Sequence, residues 1–269
     1  MRAHAAIRRA ALVTPLGLTL ACAASSATPT GPSERPASSA ATSTTTSAAP
    51  TSAAPTITPL VHASLLLRVG ESSIYVDPWS KAEFTGLPKA DVILVTDIHP
   101  DHLDPAAIEA IRQEDTLILG PEAVAERLPG VTVIRSGERR EVDRVPGMRV
   151  EAVPMYNLRR GPEEGKLFHD KGRGNGYVVS VGGQRIYISG DTECTEEMRA
   201  LADIDVALVC MNLPYTMPPS EAIECVRAFR PRVVIPYHYR GSDPGEVARA
   251  FADDPAIEVR LHDWYPAGG

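Results

Sequence analysis

The stretch VTDIHPDHLDP, residues 95–105, holds two histidines and three aspartates within eight positions. In an extended segment, residues two apart point the same way. Asp97, His99 and Asp101 therefore converge as the chain leaves the apolar run 91–96. His102 joins them through a local bend, which a helix start at Asp104–Pro105 provides. Imidazole and carboxylate side chains together suit zinc first, with manganese or iron as alternatives. Two later segments have the same placement. IYISGDTE sets Asp191 just after a strand pattern, with Gly190 allowing a sharp turn, and VVIPYHYRG sets His238 just after another. Three strand ends that each deliver ligands form the geometry a centre for one or two divalent ions requires.

The elements that must hold these residues can be read from 58 onward. ITPLVHASLLLRV and SIYVD read as paired strands turning at Gly70-Glu71-Ser72. DVILVT is almost wholly apolar, as a strand buried on both faces would be. A helix starts after Asp104. TLILG and VTVIR read as strands around a helix near Glu122–Leu128, and MRVEAVPM, GYVVSV and QRIYIS as further strands. Then come a helix capped by Thr195, the buried strand DVALVC, a helix capped by Ser220, the strand RVVIPY, the helix GEVARAFA and a last strand IEVRL. Meander-like strands early and β–α alternation later predict two sheets covered by helices.

The first part of the chain is of another kind. Arg2, Arg8 and Arg9 precede an apolar run, Ala10 to Ala21, that is too short to span a bilayer permanently. Residues 1–21 read as a secretory leader. LTLAC, ending at Cys22, is similar to a lipoprotein cleavage site; Cys22 is then either a lipidated N-terminus or an ordinary small residue of the leader. Residues 22–57, rich in Ala, Ser, Thr and Pro, read as a disordered tether. The sequence thus predicts an exported protein, a membrane-anchored lipoprotein or a periplasmic or extracellular one, touching membrane only through that N-terminus. Of the 269 residues, 34 are acidic and 27 basic, for a formal net charge of −7, which argues against nucleic-acid binding. Cys194, Cys210 and Cys225 are odd in number and lack CxxC spacing, so no disulfide framework is expected, and Cys210 and Cys225 read as core residues.

Taken in order, DIHPDH, SGDTE and PYHYRG resemble the motifs of the metallo-β-lactamase superfamily, over nearly all of residues 58–269. VHASLLL, YVDPW and GDTE look most like the branch with ascorbate phosphate lactonases and N-acyl-phosphatidylethanolamine phospholipase D. The resemblance implies an α/β (α+β) fold in four layers, an αββα sandwich. It also implies that one metal takes Asp101, His102 and His238, and that Asp191 bridges. The other metal takes His99, whatever Asp97 contributes, and one residue after EAVPMYN. The family usually has histidines at both of these last places; here Asp97 stands at the first, and Asn157 or His169 is the candidate for the second. Asp97 is either a ligand or a brace for a ligand histidine. As a ligand it would cancel the one positive charge left by two divalent ions, Asp101, Asp191 and hydroxide. That predicts a weaker Lewis acid, harder ions, and more zinc in Asp97→His.

The implied chemistry is attack of a metal-bound hydroxide, oriented by Asp101, on a lactone, ester or phosphodiester of a small-molecule substrate. The alternative is a non-catalytic or weakly catalytic metal-binding module on the same fold. His62 is a candidate for the site floor or a core histidine. Tyr215, Tyr237 and Tyr239 are candidates for substrate contact or packing. Lys171, Arg173 and Arg240 are candidates for holding an anion or for a solvated loop.

Overall fold

The computed structural model describes residues 54–265. The expected leader and nearly all of the expected tether, Cys22 included, lie outside the described residues. The first strand, β1 (Thr56–Val61), opens two residues before the expected start at 58.

The first segment splits where one strand was expected. His62 takes a left-handed φ of 57°, and the chain reverses there into β2 (Ser64–Val69). β2 turns at Gly70 into β3 (Ser72–Val76). Helices and parallel strands follow: β4 (Val92–Leu94), α1 (Pro105–Ile111), β5 (Leu117–Gly120), α2 (Glu122–Ala125) and β6 (Val131–Val133). These six strands form one sheet in sequence order, antiparallel through β3 and parallel from there on.

β7 (Arg139–Val142) has no apolar alternation and was not expected as a strand; it survives as the edge partner of β8 (Met148–Met155). β9 (Gly174–Val181), β10 (Gln184–Ile188), α3 (Glu196–Arg199), β11 (Val206–Cys210), α4 (Pro219–Phe229), β12 (Val233–Tyr237), α5 (Gly245–Ala250) and β13 (Glu258–Val259) complete the chain. The second sheet runs from β13 to β7 in reverse sequence order, parallel from β10 through β13.

Strand alternation explains the layers. Leu65, Leu67, Ile74, Val76, Val92 and Leu94 pack with the second sheet's Val150, Tyr177, Val179, Ile186 and Ile188 in one core. The intervening Leu66, Tyr75 and Ile93 form a separate cluster with Ile108, Ile111 and Val124 of α1 and α2. Met198, Ala222, Val226 and Phe229 of α3 and α4 join the core from the second sheet's side. The order is helices, sheet, sheet, helices.

Asp104 caps α1, accepting from the amides of Ala106 and Ala107, with Pro105 in the first turn. Thr195 caps α3 through the Met198 amide. Ser220 does not cap α4: the helix starts one residue earlier, at Pro219, whose fixed φ suits the first turn.

The expectation for the cysteines is corrected. Cys194 and Cys225 form a disulfide, with Cα atoms 5.6 Å apart across 31 residues of sequence. It joins the loop after β10 to α4, a meeting that tertiary folding creates and that spacing rules cannot reveal. Cys210 is a buried free thiol, as expected.

Candidate metal centre

β4, β10 and β12 end along one edge of the sandwich, and the loops leaving them carry the site. Three of its residues occupy left-handed backbone without being glycine: His62, Asp77 and His238, with φ of 57°, 45° and 46°. Such conformations cost on the order of 1–3 kcal/mol each and persist where surrounding contacts fix them. Here the His62 amide donates to the Trp264 carbonyl (3.1 Å), and the His238 amide to the His62 carbonyl (3.3 Å). The Asp77 amide donates to the Leu94 carbonyl (3.0 Å). Gly190, at φ 60°, makes the turn that delivers Asp191; a Cβ there would lie 2.4 Å from Met155 Sδ.

His99, Asp101, His102, Asp191 and His238 come together as expected. His102 Nε2 lies 3.8 Å from Asp101 Oδ2 and 3.4 Å from Asp191 Oδ2. His238 Nε2 lies 3.4 Å from Asp101 Oδ2 and 3.4 Å from Asp191 Oδ1. On the other side of Asp191, Oδ2 is 3.3 Å from His169 Nε2. Asp97 Oδ2 is 3.0 Å from His99 Nδ1 and 3.8 Å from His169 Nε2. Tetrahedral ligands about 2.1 Å from an ion stand roughly 3.4 Å apart. The donor atoms gather in sets of three: Asp97, His99 and His169 on one side, and His102, Asp191 and His238 with His62, Asp101 and His238 on the other, with Asp191 Oδ2 between His102 and His169.

The donor chemistry fits divalent ions as well as the spacing does. Nε2 of His102, His169 and His238 and Oδ1 of Asp191 are buried without a hydrogen-bond partner. Buried polar atoms are normally paired, so orphaned ring nitrogens lying 3.4, 3.3 and 3.4 Å from the Asp191 carboxylate mark a place for cations. The electrostatics agree. Burial works against charge at Asp191, yet His238 and His102 hold its carboxyl well below the usual range. Burial also opposes charge on His102, but Asp191, Asp77 and Asp101 raise its affinity for a proton well above normal. The same carboxylates favour a metal ion.

Neighbouring groups set the ring orientations. Asp77, from the YVDPW segment, was not singled out in the sequence. Its Oδ2 accepts from His102 Nδ1 (2.8 Å) and Thr96 Oγ1 (2.6 Å), leaving His102 Nε2 as the free donor atom. Asn157 does the same for His169 and is not a ligand. Its Oδ1 accepts from the His169 amide and from Nδ1, both at 2.8 Å, while its Nδ2 donates to Glu193 and to the Tyr215 carbonyl. His169, the other candidate for that place, is buried in the centre.

His62 lies at the floor. Nε2 is 3.2 Å from Asp101 Oδ2, and Nδ1 is 2.6 Å from the Tyr265 hydroxyl. Burial pushes its pKa down to about 4, so the ring is neutral at pH 7, with Nε2–H donating to Asp101 and Nδ1 accepting from Tyr265. Tyr239 does not reach the site; its hydroxyl donates to the His262 carbonyl and its ring packs on Tyr265. Tyr237 is likewise structural, its hydroxyl accepting from the Gly190 amide. Lys171 pairs with Glu197 (2.6 Å) and Arg173 with Asp97, so neither is available to a substrate. Arg240 does face the cavity. That cavity, about 610 Å³, opens over Asp101, His99 and His169, between Trp79 on one side and Phe168, Leu213 and Tyr215 on the other.

Known proteins with this arrangement can now be compared. A family model described as a beta-lactamase superfamily domain matches residues 56–238 and so contains every candidate ligand from Asp97 to His238. A UPF0173 metal-dependent hydrolase of Thermococcus onnurineus is 31% identical over 222 residues, covering 74% of this chain and 93% of the relative. A crystal structure from Parabacteroides distasonis, assigned as a metal-dependent hydrolase, superposes with a TM-score of 0.73 at 41% identity, over 78% of this chain and 94% of that one. Igni18, a metallo hydrolase of Ignicoccus hospitalis, shares the fold at 23% identity, with a TM-score of 0.65 over 77% and 94%. The four-layer sandwich, the ordered motifs and these matches agree: the chain belongs to the beta-lactamase superfamily.

Proposed function

We propose that the protein is a metal-dependent hydrolase of small-molecule lactones, esters or phosphodiesters, with zinc as the first choice of metal. The observation that carries this is the set of four buried, unpaired donor atoms brought together from three strand ends and the β8–β9 loop beneath an open cavity. Divalent ions held there supply an acidified water and polarise a carbonyl or phosphoryl oxygen. Everything else falls to the chain. The Asp101 side chain, about 26% exposed, looks into the cavity, where it orients the attacking water. Neutral His62 steadies that carboxylate by donating from Nε2, and Tyr265 holds His62 in the required tautomer. Trp79, Phe168 and Tyr215 offer apolar walls, and Arg240 a cation, for a substrate with an apolar portion and a negative charge. The likeness of YVDPW and GDTE to the lactonase and phospholipase branch supports the same substrate classes.

Export is part of this proposal. The leader pattern at 1–21 supports it, and so does the Cys194–Cys225 disulfide, since such bonds persist in oxidising compartments. The test of the activity is metal analysis of the purified chain with a panel of lactones, aryl esters and bis(4-nitrophenyl) phosphate. Zinc-loaded wild type should turn over at least one class. His102→Ala and Asp191→Ala should lose about 100-fold or more of that rate together with bound zinc. Turnover that survives both substitutions, or a zinc-loaded wild type inert on the whole panel, would sink the reading.

A further inference from the structure

Asp97 stands where the family motif has a histidine, and its surroundings are as unusual as its identity. The side chain is fully buried, and both oxygens are gripped by one guanidinium: Arg173 Nε to Oδ1 at 3.0 Å and Nη2 to Oδ2 at 2.9 Å. Among the described residues, Asp97 is the only carboxylate that Arg173 pairs with. Oδ2 nevertheless also faces His99 Nδ1 and His169 Nε2, the other donor atoms of its set.

The pairing is built into the junction of the two sheets. β9 begins one residue after Arg173, and the Asn175 amide donates to the Thr96 carbonyl at the end of β4 (2.9 Å). Asn175 is itself fixed, its side chain accepting from Ser136 Oγ and donating to the Ile134 carbonyl. Gly174 permits the approach: a Cβ there would sit 2.9 Å from the Thr96 carbonyl oxygen and 2.1 Å from Met155 Cε. Arg173 is thus held opposite the first residue after Thr96, which is Asp97.

We propose that Asp97 and Arg173 work as one unit, in which Asp97 Oδ2 coordinates a metal and Arg173 cancels the charge this carboxylate adds. The pair then stands in for a neutral histidine, and the centre keeps the positive charge of a histidine-liganded one. This rests on the metal-hydrolase reading above. It also reverses the simpler expectation from the sequence, that a carboxylate ligand weakens the centre and that Asp97→His alone would raise zinc content. In this fold, D97H leaves a half-buried guanidinium facing a neutral ring and a dication. Arg173 is therefore a positioning residue for the metal centre.

The test is a double-mutant cycle on zinc binding in the full chain: wild type, D97H, R173M and D97H/R173M. Zinc dissociation constants come from chelator competition, and the cobalt(II) absorption spectrum reports the ligand field. D97H should weaken the affected zinc equivalent at least tenfold, and D97H/R173M should recover to within about threefold of wild type with a changed cobalt spectrum. Additive effects, or a double variant no better than D97H, overturn the proposal. If D97H does not fold by circular dichroism, R173K and R173M decide. R173M should shift the zinc dissociation constant at least tenfold, and R173K, which keeps the charge but loses the two-pronged grip, should shift it less than R173M does; equal constants in wild type, R173K and R173M overturn it. A wild type that takes up no zinc defeats the hydrolase reading itself, whereas a wild type with two equivalents and an uncoupled cycle defeats only the pair.

Discussion

At the residue scale, the groups behind the ligands are as informative as the ligands. His102 and His169 each present Nε2 because an acceptor holds Nδ1, Asp77 in one case and Asn157 in the other. Asp77 is fully buried; burial raises its pKa, with the His102 and Thr96 contacts working the other way. Among the described residues, its carboxylate pairs with Thr96 and His102 alone. Removing such a partner typically costs 10–100-fold in metal affinity. Asp77→Ala should therefore weaken zinc binding by about that factor with His102 still present, and chelator competition measures it. Unchanged zinc affinity would reduce Asp77 to a packing residue.

At the element scale, the site depends on how strands end. β10 stops at Ile188, and Ser189-Gly190 turn the chain so that Asp191 meets His102 and His238 on one side and His169 on the other. Gly190 has no room for a side chain: its φ is positive, Met155 Sδ occupies the Cβ position, and its amide donates to Tyr237 on β12. Gly190→Ala combines backbone strain with overpacking, each costing about 1–3 kcal/mol. It should lower stability by about 2–4 kcal/mol in urea unfolding and reduce bound zinc, since Asp191 is the next residue. A variant of wild-type stability and full zinc content would show that the turn tolerates a Cβ.

At the scale of the whole molecule, the two sheets close on each other through the core, and the site sits at the edge where their parallel strands end. The Cys194–Cys225 bond ties the Asp191 loop to α4 on the outer layer. Closing a loop of this length contributes about 3–4 kcal/mol in the chain-entropy model. Reductant should therefore lower the thermal midpoint of wild type, while Cys194→Ser/Cys225→Ser should start lower and not respond. Equal midpoints with and without reductant would remove the bond from the stability account.

The sequence by itself determined the candidate ligands delivered by strand ends. Apolar runs such as DVILVT, RVVIPY and QRIYIS mark buried strands, and His99, Asp101, His102, Asp191 and His238 follow them within a few residues, so local pattern was enough. It also carried two sheets covered by helices, because strand and helix periods alternate along the chain, while the four-layer order came from the likeness of its motifs to the superfamily. Only the tertiary structure decided between Asn157 and His169. Both lie in a long loop without periodicity, and their roles are fixed by partners far away in sequence: Tyr215 and Glu193 on one, Asp191 on the other. The same holds for Asp77, the Cys194–Cys225 pair and Arg173, whose partner Asp97 is 76 residues distant. Local spacing cannot encode a contact that exists only once two sheets have packed, and it is such a contact that gives Asp97 its charge partner.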